Sequence, residues 1–172
     1  MSTLRTVLVS VATMAAAARA APAGDPAPAA NLLPNPSFEE TTEGRIAGWK
    51  SRAWSGEADA AWTAEPSGKG GRRCASIRSE KGADAAWTAI VTVEPYTFYQ
   101  LSGWIKTQDV RGAAGALLNI QNLQHVRTEA VRGTRDWTRV ATVFESGEET
   151  RLEVNCLFGG WGGQRTGLPP AL

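Results

Sequence analysis

Few residues in this sequence have the types and spacing that catalysis requires. His125 is the only histidine, so a zinc site of the H-E-x-x-H type lacks its second imidazole. The acidic pairs Glu39–Glu40 and Glu148–Glu149 lie in polar stretches, whereas a glycosidase places two carboxylates about 5–10 Å apart across a cleft. There is no G-x-S-x-G elbow and no glycine-rich phosphate loop followed by a helix. The sequence therefore predicts a protein that is not an enzyme.

The seven tryptophans offer a different kind of chemistry. The C–H face of a sugar ring lies flat on an indole, and aromatic contacts contribute about 1 kcal/mol each beyond area burial. Sugar hydroxyls then need amide, carboxylate or guanidinium partners between the indoles. We expect such contacts from four tryptophans and two amides: Trp54, Trp62, Trp104, Asn119, Gln121 and Trp161.

These residues were selected by their sequence surroundings. Trp54 and Trp62 lie in a polar stretch, residues 52–67, that shows no strand pattern. Trp104 alternates with Leu101 and Ile105 and should point away from the core, and Asn119 and Gln121 share one face of another strand. Trp161 lies between glycines, which let a backbone curve around a ligand. The alternative stays open that any of these indoles only covers an end of the fold.

Alternating apolar and polar residues recur along the chain and indicate β-strands. Turn residues (Gly, Pro, Asp and Ser) separate these stretches at regular spacing, and we find no helix of three turns. This arrangement predicts an all-β fold, an antiparallel β-sandwich. The predicted strands are 71–79, 87–93, 99–106, 116–123, a shorter one at 128–131, 137–144 and 151–158.

The first twenty residues have the pattern of an export leader. Arg5 precedes an apolar run, Thr6 to Ala18, and Ala18-Arg19-Ala20 resembles a cleavage site. The run is too short to span the roughly 30 Å core of a bilayer. Removal of Arg5 and Arg19 from 18 basic and 17 acidic residues leaves a formal charge of −1. We therefore expect a secreted or periplasmic protein with no membrane or nucleic-acid partner.

The two cysteines, Cys74 and Cys156, could form a disulfide after export. Alternation argues against the bond. Cys156 shares a face with Val154 and Phe158, whereas Cys74 points away from the apolar face of its own strand. The disulfide therefore remains a weak expectation.

Seven short motifs follow one another along residues 31–163. They are Asn31-Leu-Leu-Pro-Asn-Pro-Ser-Phe-Glu39, Gly48-Trp49, Ser67-Gly-Lys-Gly-Gly-Arg-Arg-Cys-Ala-Ser-Ile77, Val91-Thr-Val-Glu-Pro95, Tyr99-Gln-Leu-Ser-Gly-Trp-Ile-Lys106, Gly133-Thr-Arg-Asp-Trp-Thr-Arg-Val140 and Gly159-Gly-Trp-Gly-Gly163. Each motif alone is weak, but in this order they resemble the carbohydrate-binding modules of the family 4/9/22 type. The resemblance implies a galactose-binding-like jelly roll, which here follows the leader (residues 1–20) and a flexible Ala/Pro-rich stretch (residues 21–30).

Three further expectations follow from the resemblance. Glu39 matches an acidic position that often holds a structural calcium near the chain ends, although a solvated Glu39–Glu40 pair is the simpler interpretation. Trp49 is expected in the core. A final strand is expected where residues 164–172 form an irregular tail, because Pro169 and Pro170 cannot continue a central strand. A sandwich without that strand should be partly open.

The sequence favours a secreted, non-catalytic carbohydrate-binding module that holds a polysaccharide or glycan and needs no cofactor, with structural calcium at Glu39 as the one exception that the resemblance suggests. A catalytic partner domain would be encoded separately. Two alternatives stay open. One is a structural or adhesion β-sandwich without sugar affinity, and the other is a truncated accessory domain of a glycoside hydrolase.

Overall fold

The computed structural model describes residues 5–16, 30–111 and 115–159. Within this part of the chain, strands dominate, and the one short helix is a 3-10 turn at Glu57–Asp59. No helix in it is long and apolar enough to cross a bilayer. The strands are β1 Arg5–Ala16, β2 Thr41–Thr42, β3 Arg45–Ile46, β4 Lys50–Ser55, β5 Ala61–Glu65, β6 Cys74–Ser79, β7 Asp84–Thr92, β8 Phe98–Val110, β9 Ala116–Ile120, β10 Gly133–Glu145 and β11 Arg151–Phe158.

Two antiparallel sheets form a β-sandwich, as the sequence predicts. One sheet has five strands in the order β10-β8-β1-β6-β5, the other has four in the order β4-β7-β11-β9, and β2 and β3 form a separate hairpin. Along each strand every second side chain points between the two sheets, and these side chains form one apolar core. The core includes Leu101 and Ile105 from β8, Trp87 from β7, and Val154 and Cys156 from β11.

The strongly alternating strands lie where the sequence predicts them. Residues 151–158 form β11 with the predicted bounds, β8 and β10 extend beyond theirs at both ends, and β7 begins three residues earlier and ends one residue earlier than predicted. Two predictions were wrong. The stretch 52–67 is not a loop, because it contains most of β4 and all of β5. Residues 128–131 form no strand of their own, and Arg127 and Val131 instead make isolated bridges to β9.

The apolar run of the predicted leader is the central strand of the five-stranded sheet. In this structure β1 pairs antiparallel with β6 on one side and with β8 on the other. Val7, Val9 and Met14 are buried in the core. With β1 in place, the five-stranded sheet is continuous. The expected partly open sandwich concerns the chain without its leader and stays a prediction. The expected irregular tail, 164–172, lies outside the described residues.

Hydrogen bonds and the close packing of Trp49 hold residues 31–34 in place. The side-chain oxygen of Asn31 accepts hydrogen bonds from the backbone N–H groups of Met14 (3.0 Å) and Leu33 (3.2 Å). The Trp49 indole N–H donates to the Pro34 carbonyl at 2.9 Å. Gly48 has φ +78°, and a Cβ atom there would lie 2.7 Å from Pro34 Cβ. The Gly-Trp motif thus has a packing role, and Trp49 is in the core as predicted.

Cys74 and Cys156 are both buried, free thiols. Cys156 lies in the core between the sheets, whereas Cys74 alternates with the core residues Ala75 and Ile77 and faces the other side of its sheet. The two cysteines therefore form no disulfide, because Cys156 points into the core and Cys74 points away from it. Burial raises the pKa of the Cys74 thiol to about 11 and also raises the pKa of Cys156.

Because both thiols are buried and protonated, we expect them to resist alkylation in the folded protein. Iodoacetamide at about pH 8 should leave the native chain unmodified and should add two labels after denaturation. Mass spectrometry of the intact protein measures both states. A non-reduced chain that takes up no label even when denatured would contain a disulfide and would contradict the structure.

Candidate functional site

The outward side of the four-stranded sheet carries a set of side chains that differs sharply from its core side. Because successive residues of a strand point to opposite faces, the residues between the core positions lie on the outward side of the sheet. Several of them, including Asn119, Asn155 and Leu157, are nevertheless buried. We call this surface the outer face. Its members are Lys50, Arg52 and Trp54 on β4, Ala86, Thr88 and Ile90 on β7, Glu153, Asn155 and Leu157 on β11, and Leu117 and Asn119 on β9, with Gln121 just beyond.

An ion pair crosses the outer face near its β4 edge. The guanidinium of Arg52 on β4 contacts the Glu153 carboxylate on β11, so the pair spans the intervening strand β7. The Arg52 guanidinium carbon also lies 4.7 Å from the centroid of the Trp54 ring, a cation–π distance. Trp54 nevertheless remains 36% exposed. The three side chains form one ordered unit with an indole at its end.

A groove of about 350 Å³ lies beside this ion pair. We call it the outer groove. Its lining provides donors and acceptors of hydrogen bonds as well as the apolar surface of Ile90. Glu153 is the one carboxylate among the lining residues. Glycoside hydrolysis by paired carboxylates needs two. The lining residues are Gly48, Lys50, Ser51, Arg52, Thr88, Ala89, Ile90 and Glu153.

A row of hydrogen-bonded polar side chains continues from the outer groove towards β9. Thr88 Oγ1 donates to Asn155 Oδ1 at 2.7 Å, and Asn155 Nδ2 donates to Gln121 Oε1 at 3.0 Å. Asn119 lies opposite Asn155 in the strand register. Its Oδ1 is buried and has no hydrogen-bond partner among the described residues. Such a group is costly to bury, and most have a partner or a water.

A second cavity, of about 450 Å³, lies on the other side of β4. We call it the tryptophan cleft; it is lined by Arg45, Trp49, Lys50, Ser51, Trp62 and Trp87. The indole N–H groups of Trp62 and Trp87 donate to the carbonyls of Ala86 and Ser76, each at 3.1 Å. Trp87 is 3% exposed and Trp49 5%. Their rings are mainly core, so the cleft presents little free aromatic surface.

The structure distributes the predicted contact residues over three surfaces. Trp54, Asn119 and Gln121 belong to the outer face, where adjacent strands about 4.8 Å apart put roughly 14 Å between β4 and β9. Trp62 lies in the tryptophan cleft. Trp104 is on the outward side of the five-stranded sheet, with Lys69 Nζ 4.4 Å from its ring centroid. Trp161 lies outside the described residues.

Sequence reasoning missed four residues of this site: Arg52, Thr88, Glu153 and Asn155. Alternation along β11 could have found Glu153 and Asn155, because they lie opposite the core positions Val154 and Cys156. No pattern in the sequence could have predicted the contact between Arg52 and Glu153. They are far apart in the chain and meet only because β4 and β11 both pair with β7.

The carboxylate of Glu39 holds a neighbouring loop in place. Its Oε1 accepts hydrogen bonds from the backbone N–H groups of Arg72 (2.6 Å) and Arg73 (2.9 Å), and its Oε2 lies 3.4 Å from Arg72 Nε. The hydrogen bond from Arg73, followed by the interactions with Arg72, lowers the pKa of Glu39. No group of three His, Cys, Asp or Glu side chains in the described part of the chain could hold a metal. The Oε1 atom of Glu39 is thus held by the backbone at Arg72 and Arg73, whereas Oε2 accepts no hydrogen bond from the described residues. Calcium binding by Glu39 stays a prediction.

Loss of this carboxylate should change the pH dependence of stability. The lowered pKa of Glu39 means that its contribution is complete above the unfolded value of 4.5 and disappears as the pH falls through the folded value. We expect Glu39→Gln to melt below the wild type at neutral pH, with the gap narrowing in acid. Melting curves from neutral to about pH 3 measure this.

The neighbouring variant Glu40→Gln is the matched control, because Glu40 is exposed. It should melt like the wild type throughout the range. Identical pH profiles for Glu39→Gln and Glu40→Gln would refute the proposed role of Glu39. A melting temperature that rises with calcium would instead support a metal at this position.

Comparison with known proteins adds no assignment: the chain matches no protein-family model, and no curated protein is significantly similar to it in sequence.

Proposed function

We propose that this protein is a secreted, non-catalytic carbohydrate-binding module whose contact surface is the outer groove with Trp54 at its edge. The observation that carries the proposal is the unit formed by Trp54, Arg52 and Glu153. It places a partly exposed indole beside a charged donor and a charged acceptor. A sugar ring needs this combination, since its C–H face stacks on an aromatic ring while its hydroxyls both donate and accept.

Two cations, Lys50 and Arg52, and one carboxylate, Glu153, line the outer groove, which therefore suits a neutral or an acidic glycan. The Arg52 guanidinium and the Glu153 carboxylate neutralise each other, and their side chains are 43% and 29% exposed, so both can still reach a ligand. Neutral plant-type polysaccharides such as xylan and β-glucan are the first ligands to test. Hydrogen bonds to charged groups contribute about 1.5–3 kcal/mol, more than those between neutral groups.

The polar row beyond the groove supports the site indirectly. Thr88 and Asn155 are buried and hydrogen-bonded, with Gln121 at the end of the row, so they hold fixed positions across the sheet. They keep the neighbouring groove in shape rather than contact a ligand. A preformed groove reduces the ordering cost of binding.

Removal of the exposed indole should weaken binding. Trp54→Ala removes the stacking surface, worth about 0.5–1.5 kcal/mol, so we expect roughly a two- to tenfold loss of affinity. Isothermal titration calorimetry with xylan and β-glucan oligomers measures it. The control Phe98→Ala removes an aromatic side chain that is 55% exposed on the other sheet, and should bind like the wild type.

A second substitution tests the charged pair. Glu153→Gln keeps the size of the side chain but removes a charged acceptor, so we expect affinity to fall by about tenfold or more. Glu145→Gln, at an exposed position on β10, is the matched control and should leave affinity unchanged. A wild-type protein that binds no glycan would refute the proposal and favour a structural or adhesion role.

A further inference from the structure

The outer edge of β10 is the longest strand edge that no other described strand covers. The two sheets end at β10, β5, β4 and β9. β10 has 13 residues, whereas β5 and β9 have 5 each and β4 has 6. Arg127 and Val131 also cover part of the β9 edge through isolated bridges. A long exposed edge is unusual, because its unpaired N–H and C=O groups readily pair with another strand.

The regular part of this edge begins at Thr138. Residues 138–145 pair with β8 without interruption, whereas the register shifts twice before Thr138. The backbone N–H of Ser146 donates to the Thr97 carbonyl of the same sheet at 3.0 Å. Hydrogen-bonding direction alternates along an antiparallel strand, so the odd-numbered residues from 139 to 145 direct their N–H and C=O groups away from β8. We call residues 138–146 the free edge.

The outward side chains of the free edge carry one charge of each sign. Arg139 and Glu145 are exposed, and neither takes part in an ion pair within the described part of the chain. Between them lie Ala141 and Val143, which are also exposed; Val143 is 57% exposed. The free edge thus presents a cation, a short apolar stretch and a carboxylate in line.

This pattern is complementary to itself in one antiparallel register. When Thr142 lies opposite Thr142 of a second copy, Arg139 lies opposite Glu145 at both ends of the pairing. The same register places Ala141 opposite Val143, so the apolar residues meet in the middle. A shift by two residues in either direction separates both pairs of charges. Directly opposite residues of unlike charge stabilise a sheet, and like charges destabilise it.

The core side of the free edge fits the same register. Val140 and Phe144 are 5% and 7% exposed, and each would lie opposite the other residue in the second copy. Pairs of aromatic and β-branched residues are favourable across strands, and so are Thr–Thr pairs such as Thr142 would form. No charged side chain enters the core side, so the edge can pair without rearrangement.

We propose that the free edge is a self-association surface, through which two copies of this chain join their five-stranded sheets into one sheet of ten strands. A two-fold axis passes beside Thr142, so the interface uses the same residues on both copies. The outward N–H and C=O groups of residues 139, 141, 143 and 145 then bond to the second copy, because opposite residues exchange both bonds. The dimer leaves the outer groove open, since that groove lies on the other sheet.

Charge reversal tests the surface in the full chain. We expect the mass of the wild type in solution to rise from one chain to two as the concentration increases, measured by sedimentation equilibrium. Arg139→Glu places two carboxylates opposite each other at both ends of the pairing, and Glu145→Arg does the same with two cations. Each variant should associate about tenfold more weakly or worse, because two pairs change per dimer. The control Arg151→Glu reverses an exposed charge on β11 and should associate like the wild type.

A mixture of the two variants tests the register. A chain with Arg139→Glu and a chain with Glu145→Arg carry opposite charges at both contact positions. They should form a mixed dimer at concentrations at which each variant alone is a monomer. Hydrogen–deuterium exchange gives a second readout: the amides of residues 139, 141, 143 and 145 should exchange more slowly in the wild-type dimer, whereas those of residues 140, 142 and 144 already bond to β8.

Three results would overturn the proposal. A wild type that stays monomeric up to about 1 mM would show that a second copy does not occupy the free edge. Dimers that tolerate both charge reversals would place the interface elsewhere. Folded variants, checked by circular dichroism, that fail to associate when mixed would exclude this register.

Discussion

The hydrogen bonding of β7 on both sides is the constraint on which the candidate site depends. Its register with β4 and β11 sends Trp87 and Ala89 into the core and leaves Thr88 on the outer face. A slip of one residue would exchange these roles, because side chains alternate with a period of two. The large buried indole makes such a slip costly. Core packing on one side of β7 thus fixes the position of the polar groups on the other.

The sequence revealed those parts of the fold in which a buried face leaves an alternating pattern. β7, β8 and β11 have such faces and were predicted, and so was the outward direction of Asn119. β4 was not predicted, because it is a largely exposed edge strand with no apolar stripe. Residues 5–16 belong to the predicted leader and also form β1, because one apolar run fits the pattern of an export signal and that of a buried central strand. The export of the chain stays a prediction.

The polar side chains of the outer face form two groups with different physical roles. Thr88 and Asn155 are buried and satisfied by each other and by Gln121, so they form a rigid base. Arg52 and Glu153 are partly exposed, and their ion pair is open to water and to ligands. Buried hydrogen-bonded groups hold geometry because an unmade bond is expensive. Exposed charges contribute less to stability, which leaves them available for binding.

The anchoring of the core indoles has a spectroscopic consequence. Trp49 and Trp87 each donate their N–H to a backbone carbonyl and are almost fully buried. Their emission should therefore be blue-shifted and insensitive to small molecules. Among the other described indoles, Trp54 is solvated and lies beside a guanidinium, and Trp62, Trp104 and Trp137 are half-buried, so their emission is red-shifted. A quencher dissolved in water would remove these components first, and the remaining signal would report the integrity of the sandwich.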